Sequence, residues 1–397
     1  MPRVLRIINR FNLGGPTFNA ALLTKYMQPD YETMLVGGKE EDSEESSKHI
    51  LDNLGIEATL VEAMQRDVGL KNDRTAYKEV LKMMRDFKPD IVHTHASKAG
   101  AIGRSAGIAY GKAKLVHTFH GHVFHSYFSK AKTQLYLNIE RALALKTDRI
   151  IAISQRQKIE LAKKYRICPA KKIEVIPLGF DLEKFNQDRQ EKRNSFRKTY
   201  HLKENEIAVG IIGRLVPIKN HNLFLRAFAR AIKKTDKKVK AFIVGDGSEQ
   251  GALIELCKSL ELSLYCKGDN ESSLDAQVIF TSWIKDIDWV NAGIDIVALS
   301  SLNEGTPVSL IEAQASKKPI ITTKVGGVTN VVQPNKTALV VPNDDMKQFE
   351  KKLLSLIQND KLRQQMSEDG WKHVSEKYHY KRLVKDMKQL YHDLLHE

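Results

Sequence analysis

Cysteine is scarce in this 397-residue chain: Cys168, Cys257 and Cys266 are an odd number and show no C-x-x-C spacing. That speaks against a disulfide framework or a zinc site and suits a reducing cytosol. Long apolar runs are lacking too, for none reaches the roughly 18 residues that a membrane span needs. The opening "MPRVLRIINR" carries arginines inside its apolar run, so it reads as a first β-strand and not as a signal peptide. A cytoplasmic location is therefore expected. Short repeats, low-complexity tracts and H-E-x-x-H patterns are all missing. What is present, 42% hydrophobic and 28% charged residues, is the composition of a folded globular protein.

Charge is unbalanced, with a formal net value of +15, which favours polyanionic partners. The basic residues gather in "KKYRICPAKK" (163–172), "RQEKRNSFRK" (189–198) and "KKTDKKVK" (233–240). Solvated surface lysines explain these runs as well as contact with an anionic membrane surface does, the latter at the inner membrane face. No nucleic-acid motif or aromatic-interleaved platform accompanies them, so no nucleic-acid partner is expected.

The length exceeds one ordinary core, and two domains are expected. "VLRII", "ETMLVG", "DIVHTH", "KLVHTFH", "RIIAIS" and "KIEVIPLG" alternate with helical periodicity, as over 18–27 and 78–87. After a charged, weakly periodic stretch the pattern restarts with "IAVGIIG", "KAFIVGDG", "VIFTSWI", "IDIVALSS", "KPIITT" and "TALVVP". The alternation predicts an α/β protein of two Rossmann-like, doubly wound domains. Their expected bounds are 1–185 and 206–375, with a linker over 186–205 and a last helix over 376–397 packing back on the first domain. Two such domains facing each other place a ligand cleft at the carboxyl ends of their strands.

The loops after strands therefore carry the functional search. Gly14 and Gly15 precede a helix expected to begin about Pro16 and Thr17. Its free N–H groups favour phosphate, although an ordinary strand-to-helix turn explains the pair more readily. In "IIGRLVPIKNHN", Arg214 and Lys219 supply a planar donor fork and a mobile point charge, suited to a diphosphate clamp. "FIVGDGSEQGAL" sets Gly245, Gly247 and Gly251 after a strand, with Asp269 further on. The spacing departs from the dinucleotide fingerprint and falls in the second βα unit of its domain, which weighs against NAD. His93, His95, His117, His120, His122 and His125 cluster near strand ends. They lack a converging carboxylate pair, so structural histidines are the simpler account and no metal is expected. His120 stands apart because it ends a strand and a glycine follows. Asp286 and Asp288 in "KDID" suit a helix N-terminus better than a metal.

"SSLNEGTPVSLIEAQASKKPIITT", residues 300–323, is the most informative stretch. A strand, a loop and a helix are expected, with Thr306 as N-cap and Pro307 at the first helical position. Free amides of about Thr306–Val308 then form an anion site, flanked by Glu304 in the loop and Glu312 within the helix. Eight helical residues span about 12 Å, comparable to the reach from a ribose to a sugar on its diphosphate. A glutamate accepts from vicinal hydroxyls well, yet a helix-surface carboxylate explains Glu312 too.

"GG" after the first strand, "GRLVPIKN", "VGDG" and "NEGTPVSLIEAQASKKPIITTKVGG" together resemble the retaining GT-B glycosyltransferases of family 4 (glycosyltransferase group 1). The resemblance covers essentially the whole chain. "HTHASKAG" and "HTFHG" are similar to bacterial members that build cell-surface glycans. It implies a metal-independent hexosyltransferase with no cofactor, acting between a nucleotide-sugar donor, by family habit a UDP-hexose or UDP-N-acetylhexosamine, and a glycan or lipid-linked acceptor. By the same resemblance Arg214 and Lys219 neutralise the diphosphate, Glu304 and His120 face the transferred sugar, and Glu312 holds the ribose. Gly305, Thr306, Pro307 and Val308, with Gly14 and Gly15, complete the diphosphate and sugar site. The base rests on Ser282, Trp283 and Ile284, where Ser282 replaces the family's usual glycine. His95 and Lys98 are assigned to the acceptor. A nucleotide-sugar 2-epimerase and a non-catalytic nucleotide-sugar-binding protein are the alternatives.

Overall fold

The computed structural model describes residues 1–12, 14–41, 46–65, 67, 69–121 and 130–397. His122 and His125 lie outside the described residues. The chain forms two units, Met1–Phe180 with Tyr378–Glu397, and Asp181–Lys377.

The first unit holds β1 (Arg3–Arg10), β2 (Glu32–Gly38), β3 (Ala58–Leu60), β4 (Ile91–His95), β5 (Lys114–Phe119), β6 (Arg149–Ala152) and β7 (Ile173–Val175). They pair in parallel in the order β3-β2-β1-β4-β5-β6-β7. The second unit holds β8 (Ile207–Ile212), β9 (Val239–Val244), β10 (Leu264–Cys266), β11 (Val278–Ser282), β12 (Ile296–Leu299), β13 (Ile320–Thr323) and β14 (Ala338–Val341). Their parallel order is β10-β11-β9-β8-β12-β13-β14. Strands buried on both faces read as continuous Val/Ile/Leu runs, which is why "IAVGII" and "VKAFIV" have no polar face. β3 and β10, three residues each, are too short to stand out from their neighbours in sequence.

Chain order reverses between β1 and β4 in one sheet and between β8 and β12 in the other. Open α/β sheets bind ligands beyond the strand ends at such switch points. The loops that follow β8 and β12 hold Arg214–Lys219 and Ser300–Glu304.

The last helix, Tyr380–His396, belongs to the first unit. Its Leu383, Met387, Leu390, Tyr391 and Leu394 repeat at helical spacing and are buried among Val4, Leu23, Met27, Ile91 and Val116. A Cβ on Gly179 would sit 2.7 Å from Leu383 Cβ, so this position needs a glycine.

Residues 186–205, expected as a linker, lie in the second unit. The helix Arg189–Thr199 buries Phe196 against Phe242, Tyr200 and Trp289. Arg193 and Arg197 pair with Asp295 at 2.7 and 3.4 Å. A buried aromatic and ion pairs, Lys192 with Asp288 among them, hold the segment, a pattern that apolar periodicity does not reveal.

Candidate functional site

Two loops of the second unit are stitched together at the switch point. Leu302 N donates to Ile218 O at 2.8 Å, and Ser300 Oγ donates to Asn220 O at 2.8 Å. Lys219 Nζ donates to Glu304 Oε1 at 2.6 Å, and Ser301 Oγ donates to the same oxygen at 2.6 Å. Arg214 is exposed and its guanidinium has no partner among the described residues.

The helix after β12 runs Val308–Ala315 with Pro307 as its N-cap. The expected Thr306 cap is thus off by one residue, because proline already holds φ at −72° and starts the turn itself. The amides of Gly305, Thr306 and Val308 have no hydrogen-bond acceptor among the described residues. They form a row of donors at the positive end of a helix dipole.

Glu312 is the fifth residue of this helix and is partly exposed. Its carboxylate accepts no hydrogen bond among the described residues. Burial raises its pKa to about 7, opposed by the charge of Lys184 and reinforced by that of Asp288. The sequence left open whether Glu312 was a surface charge; its carboxylate is partly exposed, unpaired among the described residues and pushed by burial toward the neutral form.

Glycines shape the loop from behind. A Cβ on Gly326, at φ +46°, would lie 1.8 Å from Glu304 O, and one on Gly327 would lie 1.7 Å from Gly305 O. Gly327 N also donates to Glu304 O at 2.9 Å. Gly326 and Gly327 carry no side chain that could bind or react, so sequence reasoning assigned them no role, and the signal was only the glycine pair itself.

The dinucleotide-like "GDGSEQG" has a local explanation. A Cβ on Gly245 (φ +142°) would meet Gly213 O at 2.1 Å, and one on Gly247 (φ +158°) would meet Leu215 O at 2.3 Å. These glycines let the loop pack on the Arg214 loop. Asp269 accepts from Cys266 N at 2.8 Å in the turn after β10. Asp246 instead binds the end of β11, accepting from Ser282 Oγ at 2.5 Å and Trp283 N at 3.1 Å. Ser282 has φ 59°, a left-handed conformation that glycine would adopt freely. Trp283 is 48% exposed and Ile284 partly so. Asp288 pairs with Lys192 at 3.0 Å, while Asp286 is the N-cap residue of the helix Ile287–Gly293.

In the first unit Gly14 is the N-cap of the helix Gly15–Tyr26, so the helix starts one residue earlier than expected. A Cβ on Gly14 or Gly15 would meet nothing closer than 3.7 Å, so the protein itself does not demand these glycines. His95 is 0% exposed and its Nδ1 lies 2.9 Å from His120 Nε2. Lys98 forms an ion pair with Asp73 at 2.8 Å and donates to Asp67 O. Both expected acceptor contacts are therefore engaged inside their own unit. Burial depresses the pKa of His120 to about 3, so its ring is neutral at physiological pH.

The family model for glycosyl transferases group 1 matches residues 192–373, and that for glycosyltransferase family 4 matches residues 25–184. The chain is 30% identical over 341 residues to the Escherichia coli UDP-Gal:alpha-D-GlcNAc-diphosphoundecaprenol alpha-1,3-galactosyltransferase, covering 86% of this chain and 84% of that one. The chain belongs to the family 4 (group 1) glycosyltransferases. This glycosyltransferase is also 26% identical to the Staphylococcus aureus capsular polysaccharide biosynthesis glycosyltransferase CapM, covering 84% of each. Its fold is that of Anabaena HepE in complex with UDP, with a TM-score of 0.81 at 19% identity, covering 98% of this chain and all (100%) of the other. The glycosyltransferase thus has the GT-B fold. Its group 1 region falls within the second unit, where the cations, amides and paired carboxylates lie.

Proposed function

We propose that this glycosyltransferase moves a hexose or N-acetylhexosamine from UDP to a hydroxyl of a glycan or lipid-linked acceptor in surface-glycan biosynthesis. The observation that carries this reading lies within the second unit. Arg214, Lys219 and the free amides of Gly305, Thr306 and Val308 stand on the loops flanking one switch point, together with Glu304 and Glu312. That set suits a sugar diphosphate: cations and amides for the phosphates, Glu304 for sugar hydroxyls, Glu312 for the ribose diol. Ser282, Trp283 and Ile284 would carry the base. The names of the relatives support the donor and acceptor classes, for the E. coli enzyme uses UDP-Gal and a diphosphoundecaprenol-linked acceptor.

The chemistry follows from charge. As the bond between the anomeric carbon and the β-phosphate oxygen opens, negative charge gathers on the diphosphate, where Arg214, Lys219 and the amides stabilise it without a metal. The acceptor hydroxyl attacks from the same face, its oxygen forms the new bond to the anomeric carbon, and its proton passes to a β-phosphate oxygen. UDP leaves and configuration is retained. The basic surface runs suit an acceptor held at an anionic membrane. No helix among the described residues is long and apolar enough to cross one.

Purified protein with a panel of nucleotide sugars, with and without lipid-linked acceptors, tests the reading by UDP release and product mass. UDP formed only with acceptor, and a product heavier by one sugar, is expected. An isomerised nucleotide sugar formed without acceptor would make the enzyme an epimerase and overturn it.

A further inference from the structure

β9 runs out into Gly245, Asp246 and Gly247, and neither glycine could carry a side chain. A Cβ on Gly245 would strike Gly213 O, and one on Gly247 would strike Leu215 O. Asp246 is thus pressed against the loop that bears Arg214. Its carbonyl accepts from Leu215 N at 2.8 Å, and Glu249 N donates to Leu215 O at 2.9 Å. The backbone around Asp246 therefore grips the Arg214 loop.

The Asp246 side chain serves a different strand end. Its Oδ2 accepts from Ser282 Oγ at 2.5 Å and from Trp283 N at 3.1 Å, while Gly245 N donates to Ser282 O at 3.1 Å. These three bonds surround Ser282, whose backbone is left-handed at φ 59°. An L residue in that conformation is strained where glycine would not be, and it persists only when its surroundings hold it. Trp283 is 48% exposed, so packing alone holds its backbone weakly. Bonds to a carboxylate are stronger than those to a neutral acceptor, which suits this one to fixing the turn.

We propose that Asp246 is a positioning residue for the nucleobase of the donor. Its carboxylate fixes the turn Ser282–Ile284 on which the base rests, while its backbone fixes the Arg214 loop, so a single residue sets the base and diphosphate subsites relative to each other. The inference rests on the reading of Ser282, Trp283 and Ile284 as the base contact. The two tasks belong to different atoms. A change of side chain frees the turn but leaves the backbone between the two glycines, and its grip on the Arg214 loop, in place.

Calorimetric titration of the whole protein with UDP and with inorganic pyrophosphate, which presents the phosphates without a base, tests this. The proteins are the parent, Asp246→Ala, Asp246→Asn, Ser282→Ala and the Asp246→Ala, Ser282→Ala double variant. Asp246→Ala should weaken UDP about ten-fold, the worth of a hydrogen bond to a charged group, and pyrophosphate less than about two-fold. A merely structural role would weaken both ligands alike or neither. Asp246→Asn, which keeps a neutral acceptor in place, should fall between alanine and parent. Ser282→Ala should weaken UDP by itself yet add little to Asp246→Ala, because both remove the same bond. UDP binding within about two-fold of parent in Asp246→Ala, equal losses for UDP and pyrophosphate, or full additivity in the double variant overturns the proposal. A parent that binds UDP no more tightly than pyrophosphate overturns the underlying reading of the base contact. Should Asp246→Ala not fold, Asp246→Asn decides by the same comparison: UDP weakened more than pyrophosphate upholds the positioning role, and an unchanged ratio overturns it.

Discussion

Lys219 Nζ stands 2.6 Å from Glu304 Oε1, and the Glu304 side chain is only 9% exposed. The pair joins the loops after β8 and β12, so one cation orders the carboxylate and, on the proposed reading, would also meet a phosphate. Lys219→Ala should lower kcat/KM about 10²- to 10³-fold. Turnover of a nucleotide sugar within a few-fold of parent would refute the clamp.

Glu312, with its pKa raised to about 7, gives two pH effects of opposite sign. Between the usual carboxylate pKa and about 7 the folded state binds a proton that the unfolded state has released, so this group's contribution to stability falls as pH rises through that window. Glu312→Gln should therefore melt higher than parent at pH 8, by roughly 2–4 °C. UDP affinity should rise with pH from about 6 to 8 in the parent, as the carboxylate gains its charge, by up to about ten-fold. Calorimetric titration of the Gln variant should show that dependence lost; a parent slope equal to the variant's would remove Glu312 from the ribose role.

Gly327→Ala places a Cβ 1.7 Å from Gly305 O, so the loop bearing Glu304 must move. A shift of this kind should cost about ten-fold or more in turnover through misplacement alone. Normal kinetics would show that the loop geometry is not needed as drawn.

Ser282→Gly sets two effects against each other. Relief of the left-handed backbone at φ 59° is worth about 1 kcal/mol, whereas the hydrogen bond to the Asp246 carboxylate is worth about 1.5–3 kcal/mol. The bond wins, and thermal melts should show a net loss of about 1 kcal/mol. A more stable glycine variant would reverse that ranking.

Tyr391→Phe removes the hydroxyl that shares His93 Nδ1 with Arg6. A stability loss of about 0.5–1.5 kcal/mol is expected, since the arginine still serves the imidazole. Denaturant unfolding reads it directly, and a neutral result would show that the hydroxyl adds nothing there.

Much of this was written in local chemistry. Buried parallel strands must be apolar on both faces, so their runs alone give the α/β alternation, apart from β3 and β10. Arg214, Lys219 and Glu304 drew the search because each sits in a loop at a short offset from a strand end, and Glu312 because it falls in the helix that follows the same loop.

Contacts between residues distant in the chain were decided only by folding. Phe196 turns a presumed linker into part of the second unit, and Gly326–Gly327 brace a loop more than 20 residues earlier. Lys98 and His95 were assigned to the acceptor by resemblance alone, whereas Lys98 pairs with Asp73 and His95 is buried at the end of β4. The reason is physical: residue type and spacing fix what a group can do, while burial and partners, which set its charge and direction, depend on elements brought together from far along the chain.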